Sequence, residues 1–192
     1  MEGSAIKEII EDILSGDKAQ FELIVDRYKK LVASIVYRIV PQTCDREDIC
    51  QSVFIKVYNN LERFKFKSKL STWIGKIAYN EALNFINKKK PYIPGVSIDS
   101  EESFLEPCSA GSLPDKDAEN RDISQILNRE IGLLSVKYRT VITLYHLHEM
   151  RYQEISEITG LPVGTVKSHL YRARRLLKER LLKDYAKGEL LL

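Results

Sequence analysis

Apolar residues recur every three or four positions through most of this chain, and that spacing restricts it to a helical fold. The clearest run lies between Asp17 and Pro41, at Phe21, Leu23, Ile24, Tyr28, Leu31, Val32, Ile35, Val36 and Ile39. Four more helical stretches are predicted, at 4–14, 46–63, 72–89 and 123–185. Only 9 glycines and 6 prolines occur in 192 residues, which disfavours a turn-rich β fold. The sequence therefore predicts an all-α protein.

Capping residues mark two of the predicted helix starts. Asp17 and Gln20 have the spacing of an N-cap residue and its N3 partner, and Ser71 precedes the helix predicted from Thr72. Helices at both places are therefore expected to begin at these polar residues.

One stretch without periodicity separates two helical units. Residues 91–118 are rich in Pro, Gly, Ser and acids, and a loop of about 25 residues is unusual inside one compact domain. We therefore predict a domain at 1–90, an acidic flexible linker at 91–118, and a second domain at 119–192.

Charge is unevenly distributed, although the formal net charge is only +3. Residues 65–90 hold seven bases against one acid, and residues 151–183 hold eight bases against three acids. Residues 91–119 hold seven acids against one lysine. Basic blocks near aromatic residues suggest nucleic-acid contact, although each block could also be a solvated helix face.

The remaining composition indicates an intracellular protein. The three cysteines (Cys44, Cys50 and Cys108) form no CxxC pair, which is typical of free thiols in a reducing compartment. The acidic N-terminus does not resemble a secretion signal, and no stretch reaches the roughly 18 apolar residues of a membrane span. A cytoplasmic location without membrane insertion is expected.

A helix-turn-helix is predicted between Tyr152 and Leu181. A short helix ends at Gly160, a turn holds Pro162 and Gly164, and a second, basic helix begins at Thr165. Hydroxyls, imidazole and strong bases on that second helix are the side chains that contact base edges and phosphates in a major groove. An ordinary helical hairpin with a solvated basic face is the alternative.

No catalytic or metal site is predicted. His146 and His148 would lie about 200° apart on a helix and could not share one ion, so structural roles are favoured for both. No nucleophile–base pair, phosphate loop or carboxylate pair stands out, which argues against an enzyme and leaves no cofactor to predict.

Motifs from both units, taken in order, resemble one family. They are GDxxxF from Gly16, EDxxQxxFxKVY from Glu47, LSTW from Leu70 and YxEIxxxxGxPVGTVKSxLxRAR from Tyr152. This order is similar to that of the extracytoplasmic-function (ECF) sigma factors of the sigma-70 family, the promoter-recognition subunits of bacterial RNA polymerase. The resemblance covers about residues 15–90 and 120–183.

The resemblance implies that one helix of this chain docks onto core RNA polymerase, whose beta and beta-prime subunits are the implied partners. The implied contacts are Glu47, Asp48, Gln51 and Phe54, whose carboxylates and amide would bond an arginine-rich coiled coil. Ser52 stands where relatives often have an acid. The acids could also simply stabilise the positive end of a helix dipole.

Two DNA-reading regions are implied as well. A melted −10 element would contact Phe66, Lys67, Lys69, Ser71, Asn80, Asn84 and Lys88, while Trp73 is expected to be buried rather than stacked on a base. A −35 duplex would contact Thr165, Lys167, Ser168, His169, Tyr171, Arg172, Arg174 and Arg175. Among these, Lys167 and Arg172 are expected on base edges, and Arg174 and Arg175 on phosphates. His169 stands where relatives often have arginine, and it could contact a base or the backbone.

The resemblance further implies an anti-sigma factor as a partner that covers these surfaces. Two other functions remain open on the residues alone. One is a free-standing helix-turn-helix regulator, and the other is a nucleic-acid enzyme with a helical docking domain. The docking helix and the LSTW segment favour the sigma factor.

Overall fold

The computed structural model describes residues 2–89 and 121–186, and these residues form α-helices and one 3-10 turn without any strand. The helices are α1 (Glu2–Ser15), α2 (Gln20–Ile39), α3 (Thr43–Asn59), α4 (Leu70–Lys89), α5 (Arg121–Gly132), α6 (Val136–His146), α7 (Tyr152–Thr159) and α8 (Val163–Ala186), with the 3-10 turn at Leu61–Arg63. The all-α prediction is confirmed. The predicted linker at 91–118 lies outside the described residues.

The N-terminal half is built around α2, which packs against α1, α3 and α4. Val32, Ile35, Val36 and Ile39 recur at helical spacing along α2 and are at most 1% exposed. Each such side chain contributes about 1.5–3 kcal/mol when it leaves water. This buried stripe fixes the positions of α3, which carries the predicted docking residues, and of α4, which carries part of the predicted −10 residues.

Several predicted helix starts were misplaced by two or three residues, among them that of α3, predicted at 46 and observed at Thr43. Helix α2 begins at Gln20 because the Asp17 carboxylate accepts from the Ala19 N–H at 3.1 Å and closes a separate turn before the helix. Helix α4 begins at Leu70, so Ser71 lies inside its first turn rather than capping it. Helix α8 begins at Val163, two residues before Thr165, because the Pro162 carbonyl already accepts from the Val166 N–H at 3.0 Å.

The predicted helix-turn-helix is present as α7 and α8. Gly160 ends α7 in the left-handed region, with φ of 73°, where a residue without a Cβ has no steric penalty. Its N–H donates to the Ser156 carbonyl at 2.8 Å, and the Ser156 hydroxyl donates to the Leu161 carbonyl at 2.6 Å. Ile155, Val166 and Leu170 are buried where the two helices cross. This contact buries one face of α8 and leaves the opposite face exposed to solvent.

The two helical halves touch each other directly, through α4 against α7 and α2 against α6. Gly75 permits a close approach, since a Cβ there would lie 2.9 Å from Cδ1 of Ile158. At one side of this contact the Lys69 ammonium lies 2.8 Å from the Glu154 carboxylate.

A second set of polar bonds joins α2 to the C-terminal half. The Arg38 guanidinium donates to Oδ1 of Asn128 at 2.5 Å and to its carbonyl at 3.3 Å. The Ser34 hydroxyl donates to the Leu31 carbonyl, so its oxygen accepts from Nε2 of His148 at 2.6 Å.

Candidate polymerase and nucleic-acid interfaces

The outer face of α3 carries the predicted docking residues. Glu47, Asp48 and Gln51 are all exposed. Because α3 begins at Thr43, Glu47 and Asp48 lie beyond its first turn, where the helix dipole has little effect on charged residues. Phe54, the fourth predicted contact, is half-buried and packs against the core of the N-terminal half. The exposed acids therefore have no evident structural purpose, whereas Phe54 has one.

Arg46 holds the start of α3 in place, a role that the sequence analysis missed. It is 2% exposed, its Nε donates to the Val40 carbonyl at 2.9 Å, and its guanidinium lies over the Tyr37 ring at 5.1 Å. It precedes Ile49 by three residues, on the stripe that continues to Val53. A charged residue in phase with a buried stripe was the signal available.

Ile55 is a second residue that the sequence analysis missed. Its side chain is 60% exposed and lies one turn beyond Gln51 on the outer face of α3, on the same side as Asp48. Its position outside the apolar stripe of the helix was visible in the sequence. An apolar group thus extends the predicted docking face at its C-terminal end.

An aromatic cluster supports the loop before α4. Phe66 has φ of 53°, a strained conformation for a bulky residue, and its side chain is 48% exposed. Its ring lies 4.8 Å from Phe64, which in turn lies 5.4 Å from Trp73. Trp73 packs partly against the core. The strained loop therefore exposes one aromatic ring to solvent and supports it from below with packed aromatic side chains. A stacking surface for an unpaired nucleobase requires this arrangement.

The other predicted −10 residues lie on this loop and along α4. Asn80, Asn84 and Lys88 are exposed and follow one another at four-residue intervals, so they share one stripe of the helix. Lys67 is exposed and Ser71 is half-buried. Lys69 is the one in ion-pair contact with the C-terminal half, through Glu154.

Six of the eight predicted −35 residues are exposed on one face of α8, namely Lys167, Ser168, Tyr171, Arg172, Arg174 and Arg175. Tyr171, at 68% exposed, lies near the middle of this face. A groove of about 470 Å³ runs beside it, between Tyr138 and Arg172. Thr165 is half-buried in the first turn of the helix.

His169 lies at the margin of this face. It is half-buried, its Nδ1 is buried, and its ring meets Tyr138 edge-on at 5.3 Å. These side-chain positions do not test whether His169 contacts a base or the backbone, so both contacts stay predictions.

His146 and His148 have different partners. Nε2 of His146 accepts from Nε of Arg174 at 3.1 Å, whereas His148 bonds Ser34 in the other half of the protein. His148 lies beyond the end of α6, so the helical geometry assumed in the sequence analysis does not apply to it. In the part of the chain that the structure describes, no three His, Cys, Asp or Glu side chains are grouped as metal ligands.

The half-buried position of His148 makes the stability of the fold depend on pH. Burial lowers the pKa of His148, in a cleft also lined by Arg27, Lys30, Lys69, Glu149 and Glu154. The folded protein therefore favours the neutral ring, while the unfolded chain takes up a proton near pH 6.5. The resulting stability is fully present above that pH and is lost as pH falls below it.

We expect the melting temperature to fall from pH 7.5 to pH 5.5 more steeply for the wild type than for His148→Gln. Thermal unfolding followed by circular dichroism measures this difference. Parallel pH profiles for the two proteins would contradict the assignment.

Comparison with known proteins identifies the family of this chain. The family model described as sigma-70 region 2 matches residues 24–92, and the model described as sigma-70, region 4 matches residues 122–177. The ECF RNA polymerase sigma factor SigW of Bacillus subtilis is 36% identical over 180 residues, which are 92% of this chain and 96% of SigW. The chain belongs to the ECF sigma factors. The ECF RNA polymerase sigma-E factor of Escherichia coli K12 is 35% identical over 90% of this sigma factor and 92% of its own length.

Two solved structures share the fold of this sigma factor. CnrH, in complex with the cytosolic domain of CnrY, superposes with a TM-score of 0.65 at 19% identity, over 92% of this chain and 96% of CnrH. The Bartonella quintana sigma factor RpoE, in complex with the anti-sigma factor NepR, gives 0.64 at 22% identity, over 85% and 98%.

The function of this sigma factor is to direct RNA polymerase to promoters. Among the helices described, none is long and apolar enough to cross a membrane.

Proposed function

We propose that three surfaces of this sigma factor divide the work of promoter recognition. The outer face of α3 binds core RNA polymerase, through Glu47, Asp48 and Gln51. Their exposure supports this role, since a carboxylate or amide left free in water can form charge-assisted bonds with arginine on a partner. Ile55 adds an apolar contact at the C-terminal end of the same face.

The loop before α4 captures the melted −10 strand. The exposed ring of Phe66 offers a stacking surface, and Lys67 lies next to it to attract the phosphate backbone. Asn80 and Asn84 supply amides that can bond the edge of an unpaired base. Lys88 extends the same stripe with a positive charge.

Helix α8 enters the major groove of the −35 duplex. The observation that supports the proposal most directly is the exposed face of α8. This second helix of the helix-turn-helix holds Lys167, Arg172, Arg174 and Arg175 on that face. Ser168 and Tyr171 lie among these basic side chains and can form hydrogen bonds with the edges of DNA bases.

An anti-sigma factor is the proposed regulatory partner. The two structural neighbours named above were each solved with another protein bound, the cytosolic domain of CnrY in one and the anti-sigma factor NepR in the other. A protein that covers α3 or α8 here would prevent polymerase or DNA from binding. No residue is assigned to this contact.

Run-off transcription tests the proposed function. Purified protein is added to core RNA polymerase with a library of promoter fragments, and the transcripts are sequenced. We expect the protein to produce transcripts that core enzyme alone does not, from fragments sharing two short elements about 25 base pairs apart. Core enzyme that responds to its own primary sigma factor but not to this protein would overturn the proposal.

A further inference from the structure

Two stacked rings with a cation at each end lie along one edge of α8, in the order Lys167, Tyr152, Tyr145 and Arg174, and we call this row the ladder. The Lys167 ammonium lies 5.6 Å from the centre of the Tyr152 ring, and the Arg174 guanidinium lies 5.0 Å from the centre of the Tyr145 ring. The two rings stack on each other, 5.4 Å apart and 14° from parallel. The ladder therefore joins α6, α7 and α8 on one surface.

His146 fixes the Arg174 end of the ladder. Its ring meets the Tyr145 ring edge-on at 5.0 Å, and its Nε2 accepts from Nε of Arg174 at 3.1 Å. Burial, and then the charge of Arg174, lower the pKa of His146, so the ring is neutral and can accept this bond at neutral pH. The guanidinium is thus held by a ring below it and an acceptor beside it.

The ladder holds the two cations without neutralising them. Phenol rings and a neutral imidazole attract a cation but leave its charge free to act on another group. Arg175, the next residue along the helix, instead lies 3.6 Å from the Glu179 carboxylate. A hydrogen bond to Tyr145 raises the pKa of Tyr152, so that ring too stays uncharged at neutral pH.

The geometry suits a charged, repeating ligand. Lys167 and Arg174 are seven residues apart, which places them on the same side of α8 and about 10.5 Å apart along it. Both side chains are exposed. Free lysine and arginine side chains lose rotamer entropy when they are fixed. Holding them in advance removes part of that loss on binding.

We propose that Tyr145, His146 and Tyr152 are positioning residues that hold Lys167 and Arg174 ready for the backbone phosphates of the −35 duplex. This rests on the proposed role of α8. It transfers Lys167 from the base edges, where the sequence analysis placed it, to the phosphate edge of the helix. The sequence analysis assigned no role in DNA binding to any of the three positioning residues.

A double-mutant cycle on the holoenzyme tests the proposal. The probe is a promoter duplex selected from a randomised library by the wild-type holoenzyme, and its dissociation constant is measured by fluorescence anisotropy. Tyr145→Leu is expected to weaken binding about two- to fivefold, the range for an exposed cation–π contact. Tyr145→Phe keeps the ring, so this variant should retain most of the wild-type affinity. Replacing His146 by alanine should weaken binding by a similar factor, and His146→Gln, which retains an acceptor, should weaken it less.

Arg174→Ala and Arg175→Ala supply the matched backgrounds. Tyr145→Leu should have no further effect on affinity when Arg174 is already alanine, but its full effect when Arg175 is alanine. An equal effect of Tyr145→Leu in both backgrounds would overturn the positioning role, since the loss would then not pass through Arg174. So would loss of affinity in Tyr145→Phe equal to that in Tyr145→Leu.

The failure of the underlying function gives a different result. If Arg174→Ala itself leaves promoter affinity and its salt dependence unchanged, Arg174 does not contact DNA, and both the −35 assignment of Arg174 and the ladder proposal fail. Thermal unfolding of each variant separates a folding defect from a binding defect. A Tyr145→Leu variant that is unstable is replaced by Tyr145→Met, which keeps bulk but lacks the ring.

Discussion

Alanine at Glu47, Asp48 and Gln51 together is expected to weaken the complex with core RNA polymerase about a hundredfold, or about 3 kcal/mol. Each residue would lose a hydrogen bond to a charged group, worth about 1.5–3 kcal/mol, and such losses within one contact are not fully additive. All three side chains are exposed, so the fold should be retained. Fluorescence titration of labelled protein with core enzyme measures the change.

A matched variant separates docking from general charge. Glu8 and Glu11 are exposed acids on α1, away from the docking face, and their alanine substitution removes as many negative charges as the triple variant does. Core affinity should be unchanged in this control. Affinity that is equal in the wild type and the triple variant would remove these residues from the docking role.

Arg172→Ala is expected to cost about 1–3 kcal/mol of discrimination at one base pair of the −35 element, up to about a hundredfold in relative affinity. Arg172 is exposed beside the groove along α8, near the half of the helix that enters the major groove. The loss should appear as similar binding to matched and mismatched duplexes. Binding curves of the holoenzyme on both duplexes measure it.

Arg175→Ala is the companion variant. If Arg175 contacts phosphate, affinity should fall equally for every sequence, and the slope of log affinity against log salt should shrink by about one. The difference between the two arginines is chemical, because base edges carry sequence and phosphates carry only charge and position. Equal losses on matched and mismatched duplexes for both variants would contradict the assignment of Arg172.

Local sequence signals predicted the helices well because each has a local physical cause. Glycine is the residue type that adopts a φ of 73°, as at Gly160, without steric cost. The end of α7 was therefore evident from the sequence alone. The apolar stripe of α2 was equally clear, since its residues repeat at the helical period. Starts were less certain, as at Asp17, because a polar side chain can close a turn before the helix begins.

Interactions between distant parts of the chain could not be predicted in this way. The phase of Arg46 with the buried stripe was visible, but its partners, the Val40 carbonyl and the Tyr37 ring, were not, because the fold brings them to it. Arg174 was expected to be a simple phosphate contact, since nothing local indicates that Tyr145 and His146 would surround it. The exposed Ile55 was visible as an apolar residue off the stripe, but its significance depends on its lying on the same side of α3 as Asp48 and Gln51.

The contact between α4 and α7 at Gly75 and Ile158 limits how this sigma factor can occupy a promoter. Elements centred near −10 and −35 lie about 25 base pairs apart, or about 85 Å along B-DNA at 3.4 Å per step. Helices that touch cannot reach both ends of such a distance together. The two halves must therefore part, and bonds such as that between Lys69 and Glu154 must break. Promoter affinity then reflects the fraction of molecules already separated as well as the fit of each half to its element. A change far from any DNA-contacting residue, at the seam between the halves, could strengthen promoter binding without adding a single contact to DNA.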